Sequence, residues 1–98
     1  MAVYAVTYRY TDDTAGRDRH RPAHKEFLSD LGTRGINMCS GPFGPQDPAG
    51  ALLLIRASSR DEAVACTEDD PFRRHGLVAE VTAQEWVPVL GRLAGELA

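Results

Sequence analysis

Between Val3 and Tyr10 two sets of side chains alternate, Val3, Ala5 and Thr7 against Tyr4, Val6 and Tyr8. That two-residue period, rich in β-branched and aromatic residues, predicts a strand. Thr11 to Gly16 is polar and ends in glycine, so it reads as a loop. Asp18 then precedes a segment with Pro22 early in it. His24, Phe27, Leu28 and Leu31 follow at i, i+3, i+4 and i+7, one face of a helix that Gly32 and Gly35 bring to an end. Ile36 to Ser40 predicts a short second strand, and the run Gly41-Pro42-Phe43-Gly44-Pro45 with Pro48 forces a turn, because proline cannot donate to a ladder. Gly50 to Ala57 is the most apolar stretch and suits a central strand. Ser59 and Glu62 have the spacing of a capping box, opening a second helix to about Glu68. Asp69-Asp70-Pro71 stops that helix, since the residue before proline avoids helical dihedrals. Gly76 introduces a fourth strand from Leu77 to Trp86, which Pro88 breaks. From Val89 the tail has Val89, Leu90, Leu93 and Leu97 near helical spacing, weakened by Gly91 and Gly95.

The resulting order, β-α-β-β-α-β, is the ferredoxin-like α+β arrangement, with two helices on one face of an antiparallel sheet. Both alternating sets of the first strand, and both of the third (Leu52 and Leu54; Leu53 and Ile55), are largely apolar. A sheet covered on one face only needs one apolar face. A second copy packed sheet on sheet accounts for the other, so a homodimer is expected.

A length of 98 residues holds one hydrophobic core. A single domain over residues 1–98 is therefore expected, with a core at 1–88 and a tail at 89–98. The composition, 43% hydrophobic and 26% charged, is that of a globular chain rather than a disordered one. A net charge of -3, with Arg17, Arg19, Arg21, Arg73 and Arg74 interleaved with or preceded by Asp, argues against nucleic acid as a partner. Neither a membrane-spanning run nor a signal peptide is visible, which gives a cytoplasmic reading and no membrane partner. Cys39 and Cys66 lack the paired spacing of a zinc or redox motif. They are expected to be reduced, half-buried and unpaired, one in mid-sheet and one in mid-helix.

Among candidate chemical groups His24 stands out, because its spacing turns an imidazole toward the helix-sheet interface. It reads either as a core histidine bonded to a carbonyl or as a general acid or base oriented by a carboxylate. Asp70 is the natural partner, although an N-cap aspartate before Pro71 needs no catalytic duty. A working pair requires an imidazole nitrogen and a carboxylate oxygen within roughly 2.6 to 3.2 Å, or one water apart, at the edge of a cavity. Arg21, one turn before His24, reads as a receiver of substrate negative charge or as a solvated surface arginine. Ser40 and Gly41 either line a cavity or simply end a strand. Tyr4, Tyr8 and Trp86 read as core or interface aromatics, and His20 and His75 as exposed. No metal-ligand spacing is present, so neither a metal nor a cofactor is expected.

At these residues the chain resembles the YCII-related family. Arg21-Pro22-Ala23-His24 matches that family's R-P-A-H at the opening of the first helix, Ser40-Gly41-Pro42 its A/S-G-P after the second strand, and Asp70-Pro71-Phe72 its D-P-F/Y after the second helix. The resemblance runs from the first strand to Trp86, and the tail departs from it. It implies a dimeric α+β barrel of ferredoxin-like protomers and an active site with a His24-Asp70 pair; substrate contacts are expected at Arg21, Ser40, Gly41 and Phe72. It also implies kinship of fold with muconolactone isomerases and cofactor-independent monooxygenases. The function expected is proton transfer by His24 and Asp70 on a small cyclic oxygenated substrate, in lyase-like or dehalogenating chemistry. Two readings stand beside it, a non-catalytic small-molecule-binding or interaction domain and a cofactor-independent monooxygenase.

Overall fold

Four strands pair antiparallel in the order β2-β3-β1-β4, with β1 at Ala2–Tyr10, β2 at Asn37–Pro42, β3 at Gly50–Ala57 and β4 at Val78–Trp86. The computed structural model describes residues 1–98. The long helix α1 spans Thr14–Thr33, α2 spans Arg60–Ala65, α3 is a single turn at Pro71–Arg74, and a short α4 at Ala94–Leu97 ends the chain. The β-α-β-β-α-β core is ferredoxin-like, as the sequence pattern predicts. The two most apolar strands, β1 and β3, take the central places, where both edges are paired.

The inner face of the sheet carries Tyr4, Val6 and Tyr8 from β1 and Ala51, Leu53, Ile55 and Ala57 from β3. These residues and Ala63 of α2 form the core. Pairing of Tyr8 with Ala51 and of Val6 with Leu53 puts the inner sets of the two strands side by side. The α1 helix packs against α3 and β2, while α2 lies against β1, β3 and β4. A groove is therefore left where α1, α3 and the edge strand β2 meet.

Several expectations are corrected. The first helix begins at Thr14 rather than after Asp18, because Asp13 caps it by accepting the Gly16 N–H at 2.8 Å. Gly16 hides that start in the sequence; in the structure it is there because a Cβ would collide with the Asp13 carboxylate and Leu77. Pro22 and His24 consequently sit in mid-helix, not at its opening. The second helix ends at Ala65, with Cys66 at its C-cap instead of mid-helix. Its capping box is half formed: Ser59 Oγ accepts the Glu62 N–H, but the Glu62 carboxylate turns to the Ser58 hydroxyl. Pro42 still belongs to β2, tolerated because β2 is an edge strand. Cys39 is exposed for the same reason, and both cysteines are free. His20 is half-covered, stacked at 3.7 Å on His75.

The outer face carries Val3, Ala5 and Thr7 from β1, Leu52, Leu54 and Arg56 from β3, and Thr82, Gln84 and Trp86 from β4. The C-terminal tail reaches part of it. Arg56 Nη2 donates to the Leu97 carbonyl at 3.4 Å, and Val3 beside Arg56 is buried although it points outward. Leu52 and Trp86 stay partly open, at 37% and 42%, and Leu90 in the tail is 92% exposed.

Two helices end in the same motif. After α1, Ile36 N–H bonds the Leu31 carbonyl and Gly35 N–H that of Gly32; after α3, Leu77 N–H bonds the Phe72 carbonyl and Gly76 N–H that of Arg73. This crossed pair of bonds needs a left-handed residue, supplied by Gly35 at φ 77° and Gly76 at φ 67°. The second instance anchors Phe72. Gly76→Ala should lower stability by about 1 to 2 kcal/mol through the left-handed penalty alone, read as a drop in melting temperature.

Candidate active site

Arg17, His24 and Leu31 follow one another at seven-residue intervals along the buried stripe of α1. Two of these three are polar, and each is buried with partners. Arg17 donates to the Thr11 carbonyl at 2.5 Å and lies over the Tyr10 ring, 4.9 Å from its centre. The His24 ring stacks flat on Phe72, with centroids 3.8 Å apart and planes 3° from parallel.

Asp70 is delivered from the other side. Between α2 and α3 the chain turns tightly, held by the buried Thr67, whose hydroxyl donates to the Val64 carbonyl at 2.8 Å and accepts from Arg73 at 2.9 Å. Asp70 then caps α3, with Oδ1 accepting the Phe72 N–H at 2.9 Å. Its side chain is completely buried. A carboxylate there requires donors, and three converge on it. Besides the Phe72 N–H, Tyr8 Oη donates to Oδ2 at 2.9 Å, and His24 Nδ1 lies 2.8 Å from Oδ1 and 3.0 Å from Oδ2.

This arrangement fixes the imidazole. A carboxylate already accepting from an amide and a phenol accepts from His24 as well, so in the neutral form of the ring the proton sits on Nδ1 and Nε2 carries the lone pair. Nε2 has no partner in the protein and is not sealed from solvent. His24 lines a cleft of about 630 Å³ between α1 and β2. An oriented base facing a cavity of small-molecule size is equipped to take and return a proton.

The other residues expected at the site divide. Phe72 is buried beneath His24 and also lines the cleft. Arg21 reaches the cleft half-buried, with Nη1 bonded to Asp18 at 2.7 Å. Ser40 and Gly41 form its far wall on β2, where Ser40 Oγ accepts from Asn37 at 3.0 Å. No group of three His, Cys, Asp or Glu side chains gathers anywhere in the chain.

Sequence reasoning missed Tyr8 as a ligand of Asp70, and it missed Tyr10, Lys25 and Asn37 as cleft residues. The signal for Tyr8 was its place in the inner alternating set, which aims its hydroxyl at the helix layer. Burial and the adjacent Asp70 charge push the Tyr8 phenol well above the ordinary tyrosine range. The same causes, burial first, push Tyr10 up to about 12.

The sequence of the YCII-related domain family matches residues 1–87 of the chain. Among solved structures, a 5-chloro-2-hydroxyhydroquinone dehydrochlorinase from Burkholderia phenoliruptrix AC1100, determined in complex with 2,5-dihydroxybenzoquinone, is similar at a TM-score of 0.70 and 24% identity, over 86% of this chain and 92% of that one. That likeness is one of fold. No curated protein matches the chain in sequence.

Two outcomes follow from the buried network. Asp70→Ala strands the Tyr8 hydroxyl and the Phe72 N–H without acceptors, and should cost about 3 to 5 kcal/mol, measured by denaturant unfolding. On the alkaline side, an unfolded tyrosine loses its proton near pH 10 whereas folded Tyr10 keeps its own up to about 12. The native state then binds more protons than the unfolded one, so stability falls as pH rises from about 10 to 12. Tyr10→Phe should make that fall in melting temperature shallower, and what remains is the share of Tyr8, raised by the same causes.

Proposed function

This chain belongs to the YCII-related domain family, and from that footing we propose that it is a small-molecule enzyme using His24 as general base and acid on a cyclic oxygenated substrate. The observation that carries the reading is the one-sided imidazole: Nδ1 tied to a buried carboxylate, Nε2 without a protein partner, and the ring at the wall of a cleft. Nε2 takes a proton from the substrate, and Asp70 stabilises the imidazolium that forms. On a hydroxylated aromatic ring the proton taken from one hydroxyl is returned to the halogen-bearing carbon, giving a keto tautomer; removal of a second hydroxyl proton then forms a C=O bond as the ring double bond shifts and the halide leaves with the C–X electron pair. The sum is loss of an acid HX, with no oxidant or reductant required.

Arg21 meets negative charge at the cleft rim, with Ser40 and the backbone at Gly41 bordering the substrate from β2 and Phe72 forming an apolar floor. The similar dehydrochlorinase acts on a chlorinated hydroxyhydroquinone, which makes loss of HCl from a hydroxylated ring the reaction to try first. A second copy over the outer sheet face completes the proposal, supported by the exposed Leu52, Trp86 and Val87.

The test is chloride release from 5-chloro-2-hydroxyhydroquinone. Wild-type protein should release chloride, and His24→Ala should lose about 100-fold or more of the rate. The variant should melt within a few degrees of wild type, because the vacated space opens to the cleft and water can reach Asp70. A variant as active as wild type removes His24 from the chemistry. Binding without turnover by wild type would instead make this a ligand-binding domain.

A further inference from the structure

Tyr10 lies on the same cleft as His24, yet nothing in the proton transfer described so far uses it. Two residues earlier on β1, Tyr8 gives its hydroxyl to Asp70, whereas the Tyr10 hydroxyl has no partner in the protein and is not sealed from solvent. Its ring, by contrast, is firmly held. Phe72 meets it perpendicularly, at 5.5 Å and 86°, and the Tyr8 ring lies at 6.3 Å. The Arg17 guanidinium covers it at 4.9 Å and is itself tied down by the Thr11 carbonyl. Phe72 also stacks on His24 at 3.8 Å, so phenol and imidazole are mounted on a single aromatic ring.

A fixed ring with an unengaged hydroxyl is a hydrogen-bond donor positioned before substrate arrives, which avoids reorganisation when charge develops. Because ionisation of Tyr10 is pushed up to about 12 by burial and the Asp70 charge, the group holds its proton under working conditions. The charges of Arg17 and then Arg21 act on Tyr10 in the opposite sense, and Arg21 lines the same cleft.

We propose that the Tyr10 hydroxyl is a second substrate-contacting catalytic group, donating a hydrogen bond to the substrate oxygen that becomes anionic as His24 removes a proton, and that the substrate class is accordingly an enol or phenol. The proposal rests on His24 acting as the base. It adds where the resulting charge goes.

Phenolates imitate that charged oxygen and can be followed without knowing the substrate. Wild type and Tyr10→Phe, which keeps the ring and its packing, are titrated with 4-nitrophenolate while its visible band is recorded. Wild type should bind it and shift the band to shorter wavelength. Tyr10→Phe should bind roughly 10-fold or more weakly, the worth of one hydrogen bond to a charged group, and lose most of the shift. His24→Ala should retain the shift, which separates this proposal from failure of the base. Equal affinity and equal band position in wild type and Tyr10→Phe would overturn the donor assignment. Failure of wild type to bind the phenolate at millimolar concentration would overturn the substrate class.

Discussion

A carboxylate with no solvent contact must be surrounded by donors, and at Asp70 those donors come from three separate pieces of chain. Tyr8 reaches it from β1, His24 from α1 and the Phe72 amide from α3. Local capping alone would satisfy one oxygen of an exposed aspartate. Here the same side chain caps a helix turn, joins that turn to the sheet and orients an imidazole, so one charge holds both the packing and the candidate site together. Because an unpaired buried charge is so costly, the mutual placement of β1, α1 and α3 is favoured by the same residue that, on the function proposed, orients the base.

Much of this was legible before any coordinates. Alternation in β1 announced a strand and the apolar run of β3 a central one, because a strand buried on its inner face and partly covered on the other leaves a plain periodic record. The pairing of His24 with Asp70 followed from helix-face spacing and from a proline-marked helix end brought into one layer by the topology. The start of α1 was lost, since its capping signal at Asp13 is followed by a glycine whose reason is a close contact with Leu77, a residue distant in sequence. Tyr10 was lost for a related reason. Its importance comes from what Phe72 and Arg17 do to it across the fold, and a single strand does not record that.

The two faces of the sheet differ in how completely this chain closes them. On the inner face the residues of β1 and β3 are almost fully buried, while the outer face is touched by the tail at Arg56 and left open at Leu52 and Trp86. Apolar surface of that kind is expensive to leave in water. The tail, lacking a side-chain cap on α4 and interrupted by Gly91, is too weakly structured to cover it alone.

The cleft has one wall of a different mechanical character from the rest. None of the groups that hold Asp70 comes from β2, an edge strand with an irregular register between Asn37 and Cys39 and mostly exposed residues from Cys39 onward. On the function proposed, the base and its orienting carboxylate are held by β1, α1 and α3, whereas the shape that a substrate meets opposite them is set by a strand paired along one edge. Substitutions in β2 or in the proline-rich turn after it can therefore widen, narrow or re-line the cavity while leaving the proton-handling apparatus in place. On the function proposed, selectivity and reactivity are thus housed in separate pieces of this fold.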